Sequence, residues 1–251
     1  INEIEIDTVL SAIFTFQPTG GDIVTCTMTS DLNCLVSNPV GSNPVVMNEN
    51  PNPVVTLTAC NDTITLVDAA PYGLRGGQPA GGIYYGIGVN QSTGEFSPSM
   101  AGTGRHIIKY RFSNIYNCSD SATMSIRVFP SSLFNCGDNL TDMRDHKSYT
   151  TVLIGNQCWM KENLKFGSAI PYTDAQIDNC MAERYTRSST SGTVASFYQW
   201  NELMNFSSTP GSQGLCPPGW HIPTSAEWEL LLNLLEGPGM AGSWLKDKDW
   251  T

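Results

Sequence analysis

Residues 105–129 read RHIIKYRFSNIYNCSDSATMSIRVF, and this stretch decides how the chain folds. Ile108, Tyr110 and Phe112 alternate with Ile107, Lys109 and Arg111. Met124, Ile126 and Val128 alternate in the same way with Thr123, Ser125 and Arg127. Successive side chains of a strand point to opposite faces, so each run buries one face and wets the other. His106 is expected on the solvent side. Val54 to Thr58, Thr63 to Val67 and Ile83-Tyr84-Tyr85 add further strand candidates. Glycine and proline punctuation between these runs predicts a small antiparallel β-sandwich over residues 56–130.

Upstream, residues 1–55 also read as strands. Ala12 to Phe16 is rich in β-formers, Gly20-Gly21 supplies a turn, and Val24, Cys26 and Met28 share one face of a strand from Ile23 to Met28. The run from Ser37 to Pro53 carries Pro39, Pro44, Pro51 and Pro53 and predicts an edge strand leading into a linker. So short a segment is read as the C-terminal part of a sandwich repeat whose other strands lie upstream.

Composition narrows the function. Only 14% of the 251 residues are charged, and 13 basic against 23 acidic side chains leave a net charge of −10. That balance lacks the basic footprint a phosphate backbone demands, which argues against nucleic acid as a partner. No run approaches the ~18 apolar residues of a membrane span. Ile1-Asn2-Glu3 has no initiator Met and no basic leader, so the chain reads as a matured or excised piece.

The eight cysteines are Cys26, Cys34, Cys60, Cys118, Cys136, Cys158, Cys180 and Cys216. None forms a CxxC pair, which removes ribbon-type zinc sites and thioredoxin-like chemistry. An even number at moderate spacing predicts structural disulfides and an oxidising compartment. Of the 105 connectivities that eight cysteines allow, the one expected keeps each pair within one module: Cys26–Cys34 across a polar turn, Cys60–Cys118 between distant strands, Cys136–Cys158 at the base of a hairpin, and Cys180–Cys216. Closing the Cys60–Cys118 loop would contribute about 3–4 kcal/mol.

From residue 131 the chain changes character. All six tryptophans lie at or after Trp159. Tyr149 to Ile154 and Cys158 to Met160 predict a hairpin around Gly155-Asn156. A helix is expected over Val194 to Phe206, with Phe197, Trp200 and Met204 on one face. Thr224-Ser225-Ala226-Glu227 is a capping box, in which hydroxyl and carboxylate satisfy the first amides of a helix reciprocally. Trp228, Leu231, Leu232 and Leu235 follow at helical spacing, Gly237 ends the run, and Trp228 is placed in the core. The segment is an α+β module.

Three strings in that module carry a resemblance: IGNQCWMKENL (154–164), FYQWNELMNF (197–206) and CPPGWHIPTSAEW (216–228). Together they resemble the Fibrobacter succinogenes major paralogous domain of secreted and surface proteins. HIPTSAEWELL is similar to a segment of the formylglycine-generating-enzyme-like fold, a relative of C-type lectin domains. The resemblance implies an irregular mixed fold whose later strands would follow Trp250-Thr251. FTFQPTGGDIVTCTMTSDLNC (14–34) and residues 81–128 resemble PKD-like or Ig-like repeats of giant Bacteroidota adhesins. The expected fold class is therefore mostly β: an Ig-like sandwich remnant (1–55), a PKD-like or Ig-like sandwich (56–130), and the N-terminal part of a C-type-lectin-like module (131–251).

Chemistry is sparse by comparison. His221 and Glu227 could pair, but Glu227 serves the helix cap, and no catalytic residue is assigned. The formylglycine-generating enzymes act through cysteines near their C-terminus, a region without counterpart here, so the likeness does not make the chain an enzyme. Asp138, Asp142 and Asp145 in CGDNLTDMRDHKSY are the calcium candidate, weighed against a solvated acidic turn, which is favoured. Tyr84, Tyr85, Tyr172, Tyr185, Tyr198 and the tryptophans are candidates for stacking on sugars. Asp7-Thr8-Val9, Asp62-Thr63-Ile64 and Asp120-Ser121-Ala122 fit the Bacteroidota O-glycosylation pattern, making Thr8, Thr63 and Ser121 the acceptors.

The function this predicts is a non-enzymatic segment of a large surface adhesin or extracellular fibre, exported by type IX secretion and attached to the cell surface. Sandwich repeats would act as spacer, and the lectin-like module would contact surface glycans or proteins. Two rivals are a self-assembling filament subunit, which would bind copies of itself, and an enzyme-like module on the formylglycine-generating-enzyme fold.

Overall fold

The computed structural model describes residues 13, 15–30, 39–131, 134–188 and 194–245. The chain divides into two compact units, Ile1–Asn52 with Asn114–Cys118, and Pro53–Ser113 with Ser119–Thr251.

In the first unit, β1 (Ile23–Val24) pairs antiparallel with β4 (Val45–Val46), and β2 (Thr27–Met28) pairs antiparallel with β3 (Val40–Gly41). The strand expected over Ile23–Met28 is thus two short pieces. Between them the Cys26 N–H turns to the Ser42 hydroxyl at 2.9 Å instead of continuing the ladder. Ile13, Thr15 and Phe16 lie in no strand, and the rest of that expected strand falls outside the described residues. None of the described residues of this unit is buried. Asn114 organises the segment to Cys118: its side-chain oxygen accepts the Tyr116 and Cys118 amides, both at 3.0 Å.

The second unit opens with β5 (Thr56–Leu57), β6 (Ile64–Leu66), β7 (Tyr72–Gly73), β8 (Gly77–Gln78), β9 (Ile83–Tyr85), β10 (Val89–Asn90) and β11 (Glu95–Phe96). A single helical turn, α1 (Pro98–Ala101), leads into the two long strands β12 (Gly104–Ser113) and β13 (Ser119–Phe129). These pair antiparallel over their whole length, from Gly104 opposite Val128 to Ser113 opposite Ser119. Strand β6 joins β13 in parallel and β9 joins β12 antiparallel, giving a four-stranded sheet in the order β6-β13-β12-β9. A three-stranded sheet, β10-β11-β7, contributes Phe96 to the same core, which also holds Leu74, Ile108, Ile126 and Val128. Phe96, Ile108 and Ile126 are fully buried. The alternation in 105–129 therefore places the inner face as read, with one correction: His106 shares that face. Its Nε2 meets the Gly102 carbonyl at 2.8 Å and its ring lies near Phe96, so a local backbone partner holds it half-buried.

The following segment is built from β14 (Asn139–Thr141), β15 (Ser148–Ile154), β16 (Gln157–Met160), β17 (Ser168–Ala169), β18 (Glu183–Ser188) and β19 (Val194–Phe197). Its helices are α2 (Trp200–Leu203), α3 (Ser225–Leu234) and α4 (Pro238–Leu245). The hairpin β15–β16 turns at Gly155-Asn156, where Gly155 has φ +62°, a left-handed conformation that glycine adopts without a Cβ clash. The capping box of α3 is complete: Glu227 N–H donates to Thr224 Oγ1 at 3.3 Å, and Thr224 N–H donates to Glu227 Oε2 at 2.8 Å.

Two expectations for this segment fail. The helix proposed over 194–206 is a strand followed by one helical turn. Val194–Phe197 pairs with Ser188–Tyr185 of β18, and Asn205 and Phe206 take positive φ angles that stop the turn. Cross-strand pairing of a β-branched and aromatic run has overridden the helical spacing. Trp228 is 45% exposed and leans on Trp159 at 5.0 Å between ring centroids, while Leu231 is the buried residue of α3.

The cysteines pair differently from expectation. Cys136 is bonded to Cys158, but Cys60 is bonded to Cys180. Cys118 and Cys216 are free thiols, so the pairs Cys60–Cys118 and Cys180–Cys216 do not form. Register gives the reason. Strand β6, just after Cys60, lies beside Arg127–Phe129, whereas Ser119 starts β13 eight residues earlier, about 25 Å along the strand. Cys34, the expected partner of Cys26, lies outside the described residues, and Cys26 is exposed and unbonded.

Candidate functional site

Two places in the second unit concentrate side-chain chemistry. The first is a junction where the 56–130 segment meets the segment that follows it. Arg144 sits at its centre with only 6% of its side chain exposed. Its guanidinium forks onto Asp142, whose side chain is fully buried, reaches Asp62 at 2.8 Å, donates to the Leu215 carbonyl at 2.9 Å, and lies 3.7 Å from the centroid of the Phe166 ring. Gln213 Nε2 donates to the same Asp62 oxygen at 2.7 Å. Burial pushes the Asp62 carboxyl above its ordinary range despite the charge of Arg144. Burial works to lower the Arg144 pKa, and the hydrogen bonds and charges of its two carboxylates more than reverse that.

Beside this triad the Cys60–Cys180 disulfide closes the same junction. Arg75 pairs with Asp178 at 2.5 Å and donates to both the backbone and side-chain oxygens of Asn205, and Asn205 donates to the Cys60 carbonyl at 3.2 Å. Gly76, with φ +95°, is needed there because a Cβ would run into the Thr58 carbonyl and the Cys60 sulfur. A cleft of about 140 Å³ remains, lined among others by Asn61, Asp178, Met181, Glu202 and Phe206. Glu202 is 2% exposed; one oxygen accepts the Glu183 amide at 2.8 Å and the other has no partner, as is also true of Asn61 Oδ1. Burial, with Glu183 and Asp178 nearby, raises the Glu202 pKa. Cys216 is buried at the same junction, and burial lifts its thiol to about 12, which keeps it protonated and unreactive.

The second place is an open groove on β18–β19. Tyr185 and Arg187 point to one face of β18, and register puts Phe197 opposite Tyr185 and Ala195 opposite Arg187. Tyr172 stacks on Tyr185 with centroids 5.3 Å apart and planes 21° apart. Both rings are held by their hydroxyls: Tyr172 donates to the Thr186 carbonyl and Tyr185 to that of Asp174. Tyr172, Arg187 and Phe197 line the groove, with Tyr172 61% and Phe197 47% exposed. Pre-held flat rings beside a guanidinium can stack on an apolar face and donate hydrogen bonds to oxygen.

The remaining sequence candidates scatter. Tyr84 packs on Tyr110 and accepts the Gly77 amide, and Tyr198 donates to the Leu164 and Phe166 carbonyls, so both serve the fold. Asp142 is occupied by Arg144 and Asp145 by Lys147, while Asp138 is exposed and offers its backbone carbonyl to Thr151. No group of three or more His, Cys, Asp or Glu side chains able to hold a metal is gathered among the described residues. The calcium candidate is thus a set of carboxylates two of which already hold cationic side chains. Thr63 is exposed, Ser121 is half-buried within β13, and Thr8 lies outside the described residues. His221 Nε2 meets Glu227 Oε1 at 2.8 Å while the other Glu227 oxygen caps α3. Sequence reading missed Arg144, Asp62, Arg75 and Asn205. In a chain with so few charges an arginine between two acids, as in Asp142-Met143-Arg144-Asp145, is the one signal that could have drawn attention to the triad.

Two disulfides in a β-rich unit point towards an oxidising, extracellular setting. Residues 152–251 match the family model of the Fibrobacter succinogenes major domain, which agrees with a surface or extracellular protein. No curated protein and no solved structure matches the chain. No helix among the described residues is long and apolar enough to cross a membrane.

Proposed function

We propose that this chain is a non-enzymatic recognition segment of a large adhesin displayed on the cell surface, with PKD-like or Ig-like sandwich units as spacer and a C-type-lectin-like module that contacts surface glycans. Export by type IX secretion and O-glycosylation at exposed Thr63 belong to the same reading. The observation that carries it is the groove of Tyr172, Arg187 and Phe197. Its Tyr172 ring is held by Tyr185 and by its own hydroxyl before any ligand arrives, which lowers the ordering cost of binding. The guanidinium beside it suits hydroxyl or carboxylate oxygens of a sugar.

Glycan-array binding of the purified chain tests this. Tyr172→Ala and Phe197→Ala should each weaken the bound glycans by about 5- to 10-fold, the equivalent of ~1–1.4 kcal/mol for one stacking ring. Binding that is absent across the array, or indifferent to both substitutions, sinks the assignment of this groove.

A further inference from the structure

The Cys60–Cys180 bond joins positions 120 residues apart, and the Cys136–Cys158 bond, spanning 22, lies wholly inside the loop it closes. Strands β6 to β17, including all of β12 and β13 and the β15–β16 hairpin, fall within that loop. A pull along the chain enters the second unit at Pro53, reaches Cys60 through β5, and crosses the sulfur–sulfur bond directly to Cys180. From there it runs on through β18 and β19. Strands inside the loop share load through their ladders, β8 beside β5 and β17 beside β18, but the chain between the two sulfurs cannot be drawn out while the bond holds. The polar ties at the junction, Arg75 to Asp178 and Asn205, and Asn205 to the Cys60 carbonyl, stand beside the same bond.

We infer that the Cys60–Cys180 disulfide is a force lock: it takes the four-stranded sheet and the nested hairpin out of the covalent path and limits how far the chain can extend under tension. This rests on the adhesin reading for its purpose, since a tethered surface protein holding a ligand is pulled along its chain. The lock itself is a property of the fold.

Single-molecule force extension of the full chain, held between two reference domains, tests it. At ~3.6 Å per extended residue the closed loop hides about 430 Å of chain, of which the inner bond accounts for about 80 Å. The oxidised wild type should unfold without releasing that length. Cys136→Ser alone should leave the released length unchanged, because the inner loop lies behind the outer bond. The double variant Cys60→Ser/Cys180→Ser should release about 350 Å more than wild type. Should that variant not fold, a thiol reductant added to the wild type held under constant force gives the same readout as a step of about 350 Å followed by one of about 80 Å. Release of the hidden length by untreated protein, a length gain in Cys136→Ser alone, or no added length after reduction overturns the lock. A failed glycan array with these steps present overturns the adhesin reading and leaves the lock standing.

Discussion

Arg144 holds two carboxylates that would otherwise be buried without a counter-charge, Asp142 with no exposed side-chain surface and Asp62 with 22%. Removing one partner of such a group leaves uncompensated charge in a poor solvent, which costs about 3–5 kcal/mol. Arg144→Met should therefore lower the unfolding free energy of the second unit by that much, read from urea titration. Arg144→Lys should recover part of it, since an ammonium keeps the charge but cannot fork onto Asp142. A near-neutral Arg144→Met would mean the triad is solvated. Glu202 gives a pH signature. Its folded pKa lies above the unfolded value of 4.5, so the folded state keeps a proton that the unfolded chain has released. Its contribution is complete below pH 4.5 and is lost as pH rises through the higher folded value. Stability measured from pH 4 to 8 should fall less steeply in Glu202→Gln than in wild type; parallel profiles would show that the carboxyl is not perturbed. Beyond the local Asp142–Arg144 pairing, neither role was legible in the sequence, because Asp62 lies 82 residues from Arg144 and Glu183 lies 19 residues from Glu202.

At the level of elements, the most legible feature was the start of α3. The Thr224–Glu227 box is a contact within four residues, and its bonds form as spacing predicts. Thr224→Ala should cost about 1 kcal/mol through loss of the cap. Chemical denaturation of the variant beside wild type measures that loss. The β15–β16 turn and the inner face of β12 and β13 were equally readable, since period-two alternation is a property of consecutive residues. The stretch 194–206 was not. Phe197, Trp200 and Met204 sit at helical spacing, yet Phe197 stands across from Tyr185 in a ladder and only Met204 is buried. The spacing was real, but the strand that claimed Val194–Phe197 begins eleven residues before it, at Glu183.

For the molecule as a whole, the segments read as separate modules at 56–130 and 131–251 lie within one compact unit. The disulfide, the Arg144 triad and the Arg75 ties all cross from one to the other. A 131–251 fragment made alone should be much less resistant to limited proteolysis than the 53–251 chain, and the longer chain should melt in a single transition; two well-separated transitions would argue for independent modules. The thiols offer a further check. Cys216, buried at the junction, should react with a maleimide only after denaturation, whereas half-buried Cys118 should label in the native protein. Labelling of Cys60 or Cys180 in unreduced, denatured material would contradict the bond between them.

What the amino-acid order determined by itself was everything set by neighbours: which face of β12 and β13 is apolar, where the hairpin turns, how α3 is capped, and an even number of cysteines suited to an oxidising environment. Tertiary structure alone decided which sulfurs meet, which acids Arg144 neutralises, and that a run with helical spacing becomes the edge of a sheet. The physical reason is range. Periodicity and capping depend on torsions and contacts within a few residues, while a disulfide spanning 120 residues depends on where two remote pieces of backbone come to rest.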